Sequence, residues 1–291
     1  MTQDKWLIQP GESKTIDIEL VRTLKAGFIA GQVDIIGHDE QGARVEVHSV
    51  SGRDLKITLD GDRLEIDHPQ LRWDNFIEVF KSMRSNAKAE VSVLVPRDVA
   101  LKLGVISATA LVAGLHTDAK LSTVSGDLVV DGLTGDIELN SVSGELSARG
   151  HTGRIFAHTV SGDVTASGSI PKFTVDSVSG NTMLDIVGTP DAIASNSVSG
   201  DLTIRIPEAL GARYRVNTVS GKVQLDNTII HGMPGKTYQG TEGSLDGTWV
   251  DVNANSVSGN VYVLRSAPSS APSSAPSGAT SAPAGQDGAS A

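Results

Sequence analysis

From about residue 123 onward, apolar and polar positions alternate on a fixed beat. Within units of nine residues, apolar side chains take the first, fifth and seventh places: Val124, Leu128 and Val130, then Leu133, Ile137 and Leu139, then Val142, Leu146 and Ala148, then Val160, Val164 and Ala166. Places five and seven are two apart, the alternation of a strand with one buried face. The third place is often Gly, which adopts the positive φ that a tight corner needs, and the polar residues beside it suit a solvent-facing bend. Two short strands and two corners then form one coil. Stacking such coils is expected to place Val124, Val142, Val160, Val178 and Val198 in a single internal column. The predicted fold is all-β: a single-chain β-solenoid, or β-helix, with about 18 residues per coil.

The beat is carried by a repeated phrase, Ser/Thr-Val-Ser-Gly, opening at Ser49, Thr123, Ser141, Thr159, Ser177, Ser197, Thr218 and Ser256. The copies from 123 to 177 are 18 residues apart, and the later gaps are 20, 21 and 38. At the usual strand separation of about 4.8 Å, the coils between roughly 105 and 264 make a rod on the order of 40 Å long. The longer gaps read as loops thrown out from coils, the largest near Ile229 to Thr248. His151 and Ser169 occupy aliphatic places and read as satisfied or displaced core positions.

Three regions follow. Residues 1–104 form a β-rich N-terminal region with strands expected at Lys14 to Leu20, Phe28 to Ile36, Arg44 to Val50, Leu55 to Leu59, Arg63 to Ile66 and Glu90 to Val95, separated by turn residues such as Asp60-Gly61-Asp62. Within it, 71–88 carries Trp73, Phe76, Phe80 and Met83 at three- and four-residue steps, one face of a helix or a long loop. That segment is expected to cap the open end of the solenoid. Its four apolar residues are the candidate partner-binding positions, and with Arg72, Lys81, Arg84 and Lys88 a membrane-surface contact is the lesser reading. Residues 105–264 are the solenoid. The Ser/Ala/Pro tail, 265–291, has no large apolar residue from Ser266 onward and is expected to be disordered.

Composition narrows the function. Aromatic residues are only 4% of the chain, so small aliphatics must fill narrow coils. A formal net charge of −10, with no basic stripe, argues against nucleic acid. There is no cysteine, which excludes disulfides and thiolate chemistry. The first residues have neither a basic start nor an apolar run, and no stretch of 18 apolar residues occurs, so a cytoplasmic chain is expected.

The Ser-Val-Ser-Gly-Asp-Leu/Val units, preceded by Val93-Leu94-Val95-Pro96-Arg97-Asp98-Val99-Ala100-Leu101-Lys102-Leu103, resemble the bacterial putative-adhesin family of β-strand repeat proteins, a domain of unknown function. The resemblance spans about residues 28 to 264. It implies a β-helical fold, no known enzymatic activity, and a role in adhesion or envelope-stress modules; it carries over no catalytic residues.

The residues themselves offer little chemistry. The polar place after Gly stacks Asp127, Glu145, Asp163, Asn181 and Asp201 along one edge. Calcium-binding β-rolls use nine-residue repeats with Asp, which makes calcium one alternative. Such repeats carry more glycines, and the column here is interrupted by Arg154, Lys172 and Lys222, so a solvated acidic edge is expected. The hydroxyls flanking each Val, such as Ser141 and Ser143, read as caps for corner backbone groups. Gly232-Met233-Pro234-Gly235-Lys236-Thr237 has Ile230 where a phosphate-binding loop needs its first Gly. The histidines show no metal-protease spacing, and no Gly-x-Ser-x-Gly elbow occurs. Pectin-cleaving enzymes use parallel β-helices, so Asp163, Arg154 and Lys172 would be the groups to watch, although fold alone carries no activity. The expected function is therefore a non-catalytic scaffold or interaction protein with an unknown protein or glycan partner and no cofactor or metal. Specificity is expected in 71–88 and 229–248. A carbohydrate-binding or carbohydrate-active β-helix is the other alternative.

Overall fold

The computed structural model describes residues 3–68, 87–226, 228–230 and 236–266, and every regular element among them is a strand. The N-terminal region contains β1 (Gln3–Ile8), β2 (Lys14–Ile18), β3 (Thr23–His38), β4 (Ala43–Ser51), β5 (Leu55–Asp60), β6 (Arg63–Asp67), β7 (Lys88–Pro96) and β8 (Ala100–Ala113). The predicted strands are all present, and β1 was not foreseen. β3 and β8 are long enough to belong to both faces of the rod. Their first halves pair in parallel through Thr23↔Ala100 to Phe28↔Val105, and their second halves through Ala30↔Ser107 to Ile36↔Ala113. β8 thus runs unbroken across residue 104, where the N-terminal region was expected to end.

Two parallel ladders grow from these halves. The first takes β9 (Ala119–Thr123), β11 (Ile137–Ser141), β13 (Ile155–Thr159), β15 (Lys172–Ser177) and β17 (Ala192–Ser199). The second takes β10 (Leu128–Asp131), β12 (Leu146–Thr152), β14 (Val164–Ser169), β16 (Thr182–Ile186) and β18 (Leu202–Pro207). Partners such as Ile137↔Ile155 and Leu128↔Leu146 lie one sequence repeat apart. Alternate residues face the space between the ladders. Ile137, Leu139, Ile155, Ala157, Phe173 and Val175 come from one side, and Leu146, Ala148, Val164 and Ala166 from the other; none is more than 1% exposed. Large and small side chains share this narrow interior, so it packs with few aromatic rings.

The N-terminal end is closed by antiparallel strands. β6 continues the first ladder and is followed by β5 and β1, while β7 continues the second and is followed by β4 and β2. The earliest copy of the phrase, Ser49 to Gly52, sits in this cap. Its Val50 is 3% exposed, and β4 pairs antiparallel with β7 rather than joining the parallel stack.

The C-terminal end departs from chain order. β19 (Gly211–Thr218) and β20 (Val223–Leu225) precede β21 (Thr228–Ile230), β22 (Lys236–Glu242), β23 (Trp249–Ser258) and β24 (Val261–Ser266). The last coil is nevertheless interior: β23 lies between β17 and β19, and β24 between β18 and β20. The region expected as one loop near 229–248 instead contributes β21 and β22, which close the two ladders by antiparallel pairing. A cluster ties the displaced coil to its neighbours. Arg265 donates from Nε to Asp226 Oδ1 at 2.9 Å and from Nη2 to Tyr214 OH at 3.2 Å, and its Nη1 reaches the carbonyls of Leu210 and Pro207. Burial pushes the Tyr214 phenol well above its ordinary pKa.

Candidate functional site

The repeated phrase becomes one corner of the rod, and the geometry assigns a task to each residue in it but one. In β11, Ile137, Leu139 and Ser141 alternate inward, so the hydroxyl that opens the phrase is in phase with the core. Thr123, Ser141, Thr159 and Thr218 are correspondingly buried. Ser141 Oγ donates to the Gly144 carbonyl at 2.8 Å and accepts from the Gly144 N–H at 2.9 Å. Thr123 and Thr159 do the same with Gly126 and Gly162. These bonds satisfy backbone groups that the corner takes out of the ladders.

The third residue joins coil to coil. The Ser143 N–H and Oγ–H both donate to the Val124 carbonyl, at 2.8 and 3.1 Å, and Ser161 and Ser179 repeat this on Val142 and Val160. The glycine is required by close approach. A Cβ on Gly144 would stand 1.9 Å from the Gly126 carbonyl oxygen, and one on Gly126 equally close to that of Ala108. Positive φ, the reason expected from sequence, holds at Gly180 and Gly200 but not at Gly126, Gly144 or Gly162.

The polar residue after Gly forms a hydrogen-bond ladder. Asp127 Oδ1 accepts from the Glu145 N–H at 3.0 Å, Asp163 Oδ1 from that of Asn181 at 2.6 Å, and Asn181 Oδ1 from that of Asp201 at 3.1 Å. Asp201 and Asn260 extend the ladder to Lys222. The acidic column therefore stitches neighbouring coils, and among the described residues no group of three His, Asp or Glu side chains is placed to hold a metal. Arg154 does not interrupt this column. It lies at the opposite corner, where its guanidinium holds the Asp136 carboxyl below the ordinary carboxylate range. Lys172 begins β15 at that same corner, so Asp163 does not meet either basic residue.

The valine is left over. The expected internal column is wrong beyond Val124. Val142 is 39% exposed, and Val160, Val178, Val198, Val257 and Val219 are between 48 and 54% exposed. Strand alternation explains this: if Ser141 points inward, Val142 must point outward. Strand registers order these valines along the rod as Val142, Val160, Val178, Val198, Val257 and Val219. At the N-terminal end the same line is covered, because Ile29, Ile106 and Val124 are 4 to 6% exposed and cluster with the fully buried Ala87.

Beside the valines runs a polar ladder. His158 Nδ1 lies 3.2 Å from Asp176 Oδ2, Asn196 Nδ2 donates to Asp176 Oδ1 at 2.7 Å, Asn255 Nδ2 to Asn196 Oδ1 at 2.8 Å, and Asn217 Nδ2 to Asn255 Oδ1 at 2.6 Å. Between the two rows lies a shallow groove of about 460 Å³, lined by Val160, Val178 and Val198 with His158, Asp176 and Asn196. It offers an apolar rail and a row of amides, with no nucleophile paired to a base. The signal that identifies these valines in sequence is the phase of the strand before them, read inward from Ile137 through Ser141.

Trp73, Phe76, Phe80 and Met83, the partner-binding candidates, lie outside the described residues; Lys88, at the end of the helical stretch expected there, begins β7. Just beyond the 229–248 region, the Arg213 guanidinium pairs with Asp251 and stacks 4.6 Å over the Trp249 ring. His151 is fully buried, and neither ring nitrogen makes a hydrogen bond of ordinary geometry, so of the two readings, satisfied or displaced, the satisfied one does not hold. Burial holds its pKa below the ordinary value, with the nearby Leu133 and Arg154 backbone and Asp136 opposing that shift.

Solved structures similar to this chain include a putative cell adhesion protein from Clostridium sporogenes ATCC 15579, at 16% identity over 91% of this chain and 100% of the other, with a TM-score of 0.31. A putative lipid binding protein from Parabacteroides distasonis ATCC 8503 aligns at 11% identity over 89% and 98%, with a TM-score of 0.47. A putative adhesin from Bacteroides fragilis NCTC 9343 aligns at 15% identity over 89% and 99%, with a TM-score of 0.35. No curated protein matches the chain. The family match runs from residue 28 to 264, taking in the corner and both ladders, and by it the chain belongs to the Toastrack DUF4097 family.

Proposed function

We propose that this protein is a non-catalytic β-solenoid scaffold, adhesin-like in role, that makes contact through the valine corner. One observation carries the reading. Every other residue of the phrase is occupied by hydrogen bonds or close approach within the fold, while six valines in register face solvent. An apolar side chain turned outward at six successive coils is costly for solubility and useful for contact. The flanking Asp and Asn side chains bond to one another, leaving shape and apolar area as the main means of recognition.

Saturable binding of the full chain to a panel of glycans and extracellular-matrix proteins, compared with the Val160→Asp/Val178→Asp variant, tests this reading. Binding lost in a variant that keeps the native circular dichroism supports it. Binding that survives moves the contact to 71–88 or 229–248, and turnover of any glycan favours the carbohydrate-active alternative. Protease treatment of intact host cells reads the location in parallel: protection supports the cytoplasmic expectation, and cleavage supports an exposed adhesin.

A further inference from the structure

We propose that the partner of the valine corner is a second copy of this chain, packed antiparallel along the same corner. This rests on the reading of that corner as a contact surface. Three features point to a copy rather than a foreign molecule. The first is period. The valines are carried by successive parallel strands, so they repeat at about 4.8 Å along the rod. A second rod has the same period and interdigitates along its whole length, whereas an extended peptide, advancing about 3.3 Å per residue, falls out of step within a few positions.

The second feature is charge. The chain carries a formal net charge of −10, which opposes self-association over most of its surface. The groove side of the row is different: Asp176 is the one carboxylate in its lining and faces His158 at 3.2 Å, and the rest is Val, Asn, Ser and Thr. Glu145 and Asp163, exposed three residues after Val142 and Val160, border the row on its other side, so two copies meet with least repulsion when they close on the groove side.

The third is area. Six valines, each roughly half exposed, offer on the order of 400 Å² per copy. The exposed Ser143, Ser161, Asn196 and Asn255 beside them bring the strip toward the ~800 Å² per partner of a standard interface. That size suits a reversible dimer. Its two-fold axis crosses the rod between Val178 and Val198, the middle of the row, making the contact isologous. Where this line of side chains is covered within the chain, at Ile29, Ile106 and Val124, it is covered by apolar packing of the same kind.

Sedimentation of the full chain from micromolar to hundreds of micromolar concentration tests the proposal. A monomer–dimer equilibrium is expected, with dissociation raised roughly tenfold or more in Val160→Asp/Val178→Asp. Val160→Thr/Val178→Thr, which keeps the β-branched shape, serves if the charged variant misfolds and should weaken the dimer in the same direction. A native chain that stays monomeric throughout overturns the proposal, as does a dimer indifferent to both variants. If the native chain is monomeric and the same substitutions abolish binding to a glycan or matrix protein, the corner remains a contact surface and only the assignment of a second copy falls.

Discussion

The two corners of each coil are built from the same nine-residue pattern and turn their first apolar residue in opposite directions. Leu133 is fully buried at one corner, while Val142, nine residues on, is 39% exposed at the other. The difference lies in the residue before. Gly132 and Gly150 have φ of +60° and +57°, which breaks strand alternation and swings Leu133 and His151 inward. Ser141 and Thr159 instead remain in extended strands, so alternation continues and Val142 and Val160 face outward. One corner serves the core and the other serves the surface.

The contrast can be broken at its glycines first. Gly144→Ala drives a methyl into the Gly126 carbonyl, a backbone contact that yields only if the coils separate. A loss of about 3 kcal/mol or more is expected in urea denaturation. Gly132→Ala meets nothing within 4 Å and carries only the strain of its φ, so about 1 kcal/mol is expected. Equal losses would mean that both corners are governed by backbone conformation alone.

The apolar residues sharpen the same comparison. Leu133→Ala empties a fully buried position and should cost about 2–5 kcal/mol. Val142→Ala at the other corner should stay within about 0.5 kcal/mol, as surface substitutions do. Matching costs in thermal melts would show that the outward valines support the fold after all.

The effect expected at His151 has the opposite sign, a gain, and it depends on pH. Because burial lowers its folded-state pKa, the unfolded chain binds more protons between that value and about 6.5. The stabilising contribution of the neutral ring is therefore complete above about pH 6.5 and is lost as pH falls below it. His151→Leu, which restores the aliphatic of Leu133, should gain about 1 kcal/mol near neutrality and more at pH 5. A gain that is the same at both pH values would show that the ring does not stay neutral in the fold.

Much of the fold was legible from short-range pattern. Alternation located the strands, and the inward places five and seven, such as Leu128, Val130, Ile137 and Leu139, are core positions. The hydroxyls were recognisable as corner caps because Ser and Thr bond nearby backbone groups wherever chains turn. The facing of the valines was misread because the nine-residue rhythm treats both corners as equivalent, while the deciding glycine stands at the end of only one half-repeat. The acidic column reads in sequence as a solvated edge; its further role, oxygens accepting backbone N–H groups from the next coil, exists only once the coils are stacked.

The sequence by itself determined strand, corner and period, because these depend on residues a few positions apart: a hydroxyl three residues before a glycine, or an aliphatic at every second place. Only the tertiary structure decided which coil stacks on which. Each coil offers neighbours the same spacing of backbone groups, so the repeat cannot distinguish 211–225 from 249–266 as the coil that follows 192–207. The choice falls to contacts between distant residues: Arg265 with Asp226, Tyr214 and the Leu210 carbonyl, and β22 paired antiparallel along β19. No local pattern announces these contacts, because each requires the coils to be side by side before it exists.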